Sequence, residues 1–183
     1  MIPSNNWFYC WLTRLLLERV TLFVKEHSVA RYGEPKKLKI EYSNRGGLSY
    51  AQMNAYYSWL KFKSSNRRPF LPLGNLSWEV MHPSLLEVYE HNSRAGLHFA
   101  DAVGASFFKA YDKHDTGECD PQFAKLFLPR MARHPDKASG RISGFGLKLM
   151  PGLRKANLDS DQTEIFRFYG YPGQWWAPDP TVP

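Results

Sequence analysis

Apolar residues recur every three to four positions from Asn6 to about Val29. Leu12, Leu16, Val20 and Phe23 fall within about 80° of one another at the helical period, with Phe8 and Leu15 beside them. This predicts a long first helix, capped by Asn5 or Asn6 and stopped by Gly33 and Pro35. The period then changes. Leu38, Ile40 and Tyr42 alternate with Lys39, Glu41 and Ser43, so Lys37 to Asn44 reads as a strand with one buried face. Gly46-Gly47 ends it. Ser49 opens a second helix with Gln52 three residues on, a capping box, and Met53, Tyr56, Tyr57 and Leu60 supply its apolar face. Leu76 to Val80 reads as a short strand closed by Pro83. A third helix is expected over Arg94 to Asp112, with small residues in its first half and Phe107, Phe108 and Tyr111 in its second. Glycine inside a helix costs about 1 kcal/mol against alanine, so Gly104 predicts a close neighbour, either a sheet or a substrate backbone.

Asp120-Pro121 starts a fourth helix through about Met131. Arg141 to Leu149 reads as a strand, with a bulge or close approach at Gly144 and Gly146. The tail from Pro151, which holds the run Glu164 to Tyr171 and Trp175-Trp176, is expected to wrap over the domain or fray. The core order is therefore helix, strand, helix, strand, helix. Strands alternating with helices mean parallel pairing and an α/β fold. Two strands are few for a parallel sheet, which needs neighbours. The order is that of the back half of a ribonuclease H-like fold, in which three antiparallel strands come first. On this reading residues 1–151 form a partial domain of that kind, with the fourth helix and the strand at 141–149 as its C-terminal extension, and 152–183 form a C-terminal tail.

Composition sharpens the picture. The chain has 183 residues, 43% hydrophobic and 15% aromatic, enough for a real core and against wholesale disorder. Cys10 and Cys119 are too few for a disulfide scaffold or a cysteine zinc site, and two thiols in a reducing cytoplasm is the simpler reading. The stretch Trp7 to Val24 is broken by Arg14, Glu18 and Arg19. It predicts neither a membrane span nor a signal peptide. The net charge is +7, and all of it sits between Gln122 and Leu158. Lys125, Arg130, Arg133, Lys137, Arg141, Lys148, Arg154 and Lys155 there face one acid, Asp136. Such a segment attracts a polyanion, with nucleic acid the obvious partner; the plainer reading is a solvated surface. No phosphate-cradling glycine loop and no recognised Ser, Cys or His catalytic motif is present.

The sequence resembles the bacterial domain-of-unknown-function family numbered 3800. The stretches that carry the likeness are NWFYCWLTRLLLERV (Asn6 to Val20), RYGEPKKLKIEYSNRGGLSYAQMNAYYSWL (Arg31 to Leu60), GLHFADAVGASFFKAY (Gly96 to Tyr111), CDPQFAKLFLPRM (Cys119 to Met131) and GRISGFGLKLMP (Gly140 to Pro151). The resemblance implies a ribonuclease H-like scaffold whose carboxylates hold Mg2+ or Mn2+ for phosphodiester cleavage. Members usually begin with a strand reading Tyr-Ile-Asp-Glu-Ser-Gly, which this chain does not have. The expectation is thus an N-terminally shortened nuclease, weakly active or inactive alone. Asp101 matches the family's Leu-Gln-x-Ala-Asp motif, with His98 in place of its glutamine, and becomes a catalytic and metal-ligand candidate. His98 lies three residues before it on the same helical face and is a candidate for positioning, metal binding or proton transfer. Glu18, in a Leu-Leu-Glu-Arg stretch, is a second ligand candidate. Each has a plainer alternative: a surface or capping Asp101, a packed His98, and a Glu18 paired with Arg14 or Arg19. Glu41 receives no role. Arg130, Arg133, Lys137, Arg141 and Lys148 are the nucleic-acid-binding candidates. A non-catalytic binding module built on 122–158, and a subunit whose sheet is completed by a second copy or another polypeptide, are the rival readings.

Overall fold

The computed structural model describes residues 5–65, 76–113, 117–135, 140–152 and 155–172. The chain divides into two compact units, Met1–His98 and Phe99–Pro183. The boundary falls inside a helix. The first unit runs α1 (Asn5–Tyr32), β1 (Leu38–Ser43), α2 (Tyr50–Ser65), β2 (Met81–Tyr89) and a 3-10 turn, His91–Ser93. Next, α3 (Ala95–Lys109) carries the chain into the second unit, which continues with α4 (Gln122–Leu126), a 3-10 turn over Leu128–Arg130 and α5 (Ser160–Phe168).

The protein is a mixed α/β chain with a two-stranded parallel sheet. Ile40, Glu41, Tyr42 and Ser43 stand opposite Leu86, Glu87, Val88 and Tyr89. The register is irregular between Leu38, which faces Met81, and Ile40. Pro83 lies on the β2 side of that irregularity. Proline cannot donate to a ladder, so it is tolerated where pairing is interrupted. This corrects the sequence reading, which ended the second strand at Pro83. Trp78 to Val80 form a turn, closed by the Val80 amide donating to the Ser77 carbonyl at 3.1 Å, and the strand starts at Met81.

Cys10, Leu17, Tyr42, Met53, Tyr56, Tyr57, Leu60, Leu76 and Met81 form the core of the first unit. The expected face of α2 is the buried one. The expected face of α1 is buried only in part: Leu15 is 6% exposed and Val20 packs against the core. Leu12, Leu16 and Phe23 are 40%, 60% and 40% exposed, while Arg14, Glu18, Thr21 and Ser28 point inward. The inward polar groups have partners, which is what lets them be buried. Arg14 is ion-paired with Glu18. The Thr21 hydroxyl accepts from the Ser77 amide at 3.1 Å, and the Ser28 hydroxyl accepts from the Lys36 amide at 3.1 Å.

In the second unit Ala110, Ala124, Ile142, Leu149, Ala156, Ile165, Phe166 and Tyr169 form the core. Residues 160–169, expected to wrap or fray, therefore supply its largest side chains. Asp159 caps α5 in a full capping box with Gln162. The Tyr169 hydroxyl donates to the Ala124 carbonyl at 2.6 Å. The helix expected through Met131 stops at Leu126, since Pro129 has no amide with which to continue it. The strand expected over Arg141 to Leu149 reduces to a single bridge, Ser143 to Leu147, around a turn. The Tyr171 hydroxyl holds that turn. It accepts from the Gly144 and Leu149 amides at 3.2 and 2.9 Å and donates to the Leu147 carbonyl at 3.0 Å. The expected close approach is real at Gly146, where a Cβ would collide with the Ala132 carbonyl.

Candidate functional site

The residues of the parallel pair that face away from the core carry charge. Glu41 and Glu87 are Cα partners on adjacent strands, so both carboxylates project from one face. Like charges in this position repel. The Lys39 ammonium offsets the repulsion by lying 3.2 Å from Glu41 and 2.9 Å from Glu87. Tyr89 donates its hydroxyl proton to Glu87. Hydrogen bonds from Tyr89 and Lys39 hold the Glu87 carboxyl below the usual carboxylate range. The Arg94 guanidinium lies 3.9 Å over the Tyr89 ring, a cation–π contact, and 3.6 Å from Glu41.

Just past the strand ends, the Asn44 amide donates to Glu90 at 2.8 Å and His91 Nδ1 lies 3.4 Å from the Ser43 hydroxyl. The His91 and His98 rings meet edge to face with centroids 4.5 Å apart. A small pocket of about 190 Å³ opens nearby in sequence, lined by Asn6, Tyr9, Arg45, Gly46, Gly47 and Leu48.

Glu18 is 7% exposed, with Arg14 on one carboxylate oxygen and Arg19 at 3.8 Å from the other. It belongs to the first unit. Asp101 lies exposed on α3 in the second. Gly104, on the same helix, has open space where a Cβ would stand, so the close neighbour expected there is absent among the described residues. Nor do the described residues contain a group of three or more His, Cys, Asp or Glu side chains arranged to hold a metal ion. Mg2+ and Mn2+ ask for several oxygen ligands converging on one point. The Glu18 oxygens face guanidinium groups, and Asp101 belongs to the other unit.

Of the basic candidates, Arg130, Arg133, Arg141 and Lys148 are exposed on the second unit, and Lys137 lies outside the described residues. The Arg133 guanidinium donates to the Gly140 carbonyl at 3.1 Å, and the His134 amide donates to the Arg141 carbonyl at 2.9 Å. These bonds draw the two arginine-bearing stretches side by side. Lys125 is taken up by Glu164 and by the Phe168 ring, 5.5 Å away. Among the described residues Arg130, Arg133 and Arg141 meet no carboxylate.

Sequence reasoning missed Glu87, Tyr89, His91 and Arg94. The signal available was the alternation of polar Glu87 and Tyr89 with Leu86 and Val88, hidden because the strand was placed before Pro83. No family model, no curated protein and no solved structure matches this chain. No helix among the described residues is long and apolar enough to cross a membrane.

Proposed function

We propose that this protein is a non-catalytic polyanion-binding module, with nucleic acid as its ligand, acting through the basic segment 122–158 of its second unit. The observation that carries this reading is the exposed group of Arg130, Arg133 and Arg141, in which the Arg133 guanidinium bond to the Gly140 carbonyl and the His134 amide bond to the Arg141 carbonyl set two arginines on adjoining stretches. Guanidinium groups displayed in this way pair with phosphate oxygens in bidentate geometry. Their partners would be backbone phosphates, so affinity would depend on charge and little on sequence. On this reading the arginines pair with phosphate directly and binding needs no divalent ion. The test is fluorescence anisotropy of labelled single- and double-stranded oligonucleotides in EDTA. Binding that persists in EDTA and in Asp101→Ala supports the module. Binding that needs Mg2+ and is lost in Asp101→Ala returns the protein to the metal-dependent class.

A further inference from the structure

We propose that the pocket beyond the carboxyl end of β1 is a binding site for a phosphate group, either free inorganic phosphate or the phosphate of a monoester. The proposal concerns the first unit alone and stands apart from the basic segment of the second. Asn6, Tyr9, Arg45, Gly46, Gly47 and Leu48 line the pocket, so its lining carries one cation and no carboxylate. Its volume of about 190 Å³ is below the roughly 300–1,000 Å³ of pockets that enclose a drug-sized molecule. It therefore takes the charged head of a ligand and leaves any larger remainder outside. The place suits the fold. Ligands of open α/β sheets gather outside the carboxyl ends of the strands; β1 ends at Ser43, and the pocket loop follows two residues on.

The lining is rich in donors. The Arg45 guanidinium lies 5.7 Å from the centroid of the Tyr9 ring, and among the described residues it meets no carboxylate or carbonyl. Its N–H fork is therefore left for two oxygens of a phosphate, the acceptor that a guanidinium matches in bidentate geometry. The backbone beneath it is fixed. The Arg45 amide donates to the Tyr50 hydroxyl at 3.0 Å, and that hydroxyl donates to the Ser43 carbonyl at 2.5 Å. The Leu48 amide closes on the Arg45 carbonyl at 3.3 Å. Gly46 and Gly47 make the turn between, with Gly47 in the left-handed region at φ 80°. Successive amides in a turn of this kind form a concavity that binds anions. Among the described residues neither glycine amide donates to another protein group. The absence of side chains at both positions lets a ligand come close to the backbone. The Asn6 side-chain amide adds a further donor. A cation and amides held in place before the ligand arrives reduce the ordering cost of binding.

The test is an amide NMR titration of the full chain with sodium phosphate at constant pH and ionic strength, with glycerol phosphate and sodium acetate in parallel. The expected result is a saturable shift of the Gly46 and Gly47 amide resonances with both phosphates, and a far smaller one with acetate. This readout uses the unaltered protein and does not depend on a variant folding. Arg45→Gln, a change at an exposed side chain, weakens phosphate binding by at least about tenfold. Arg31→Gln, exposed on α1 and outside the pocket lining, leaves it unchanged. Tighter binding of glycerol phosphate identifies a monoester as the ligand, and tighter binding of inorganic phosphate identifies the free ion; either result upholds the site. The proposal is overturned if the two glycine resonances do not shift or shift without saturating, if acetate moves them as far, or if Arg45→Gln binds phosphate as the unaltered protein does.

Discussion

Arg14 and Glu18 sit one helical turn apart inside the first unit, with 2% and 7% of their surface exposed. Two charges taken out of water are costly unless each holds the other. Breaking such a pair strands one buried charge, so Glu18→Ala is expected to cost about 3–5 kcal/mol in urea unfolding. Replacing both, Arg14→Met with Glu18→Leu, should cost much less than the two single changes together. A loss below about 1 kcal/mol for Glu18→Ala would show that the pair is solvated. A neighbouring contrast checks which face of α1 is buried. Leu17→Ala should cost about 2–5 kcal/mol, the range for an emptied core position. Leu16→Ala, on the outward stripe, should stay within about 0.5 kcal/mol. Equal losses at the two positions would contradict the observed rotation of the helix. In the second unit Gly146→Ala should destabilise by about 1–3 kcal/mol, since the new methyl meets the Ala132 carbonyl, a backbone atom with little room to yield.

At the scale of elements, β1 and α2 were legible because their apolar periods, two and about 3.6, coincide with what the core buries. In α1 the helix is legible and its buried face only in part, since Leu15 and Val20 pack inward while Leu12, Leu16 and Phe23 do not. Hydrophobicity ranks Leu12, Leu16 and Phe23 above Arg14, Glu18 and Thr21; the spacing of Arg14 and Glu18 offers their pairing, but that the pair lies in the interior is invisible in a linear pattern. The second strand was misplaced because Leu76 to Val80 is as apolar as a strand and Pro83 looks like a stop. The charged face of the sheet was illegible for a related reason. Glu41 and Glu87 become neighbours only once the register is known. The run at 160–168 was underrated although Asp159 and Gln162 form a capping box visible in the sequence. That cap gives a pH prediction. Backbone amides of α5 and the Lys113 ammonium, 2.9 Å away, hold the Asp159 carboxyl below its ordinary range, and Lys113 at 2.7 Å does the same for Asp161. A carboxyl lowered in the folded state contributes stability above its unfolded value of about 3.9, and that contribution is lost as pH falls through the lower folded value. The second unit should therefore loosen in acid below about pH 4, with near-ultraviolet circular dichroism as the readout. Asp159→Asn should lower stability at pH 7 and flatten the acid transition; an unchanged acid profile in that variant would contradict the role of the cap.

Across the whole molecule, what matters is where charge is placed. The residues from Phe99 to Pro183 carry eleven basic and ten acidic side chains, close to neutral. The basic ones gather between 122 and 158, and the acids lie mostly outside that span. Lys113 and Lys125 are consumed by Asp159, Asp161 and Glu164, while Arg130, Arg133 and Arg141 are displayed. Such a local field reaches about 10 Å at 0.1 M salt, so its effect on a polyanion is short-ranged and strongly salt-dependent. The sheet makes a further statement at this scale. Among the described residues the sheet has two strands and so an outer edge on each, and an added strand from a second copy would convert the chain to a dimer. Light scattering behind size exclusion should then give twice the chain mass, and a monomer at all concentrations would remove that reading.

The most direct measurement is the slope of log affinity against log salt for a labelled oligonucleotide, compared between the unaltered protein and Arg130→Ala, Arg133→Ala, Arg141→Ala combined. The account predicts affinity that falls steeply with KCl, and a slope that drops by about one for each arginine removed. Affinity that is absent, or a slope that the three substitutions leave unchanged, would contradict it.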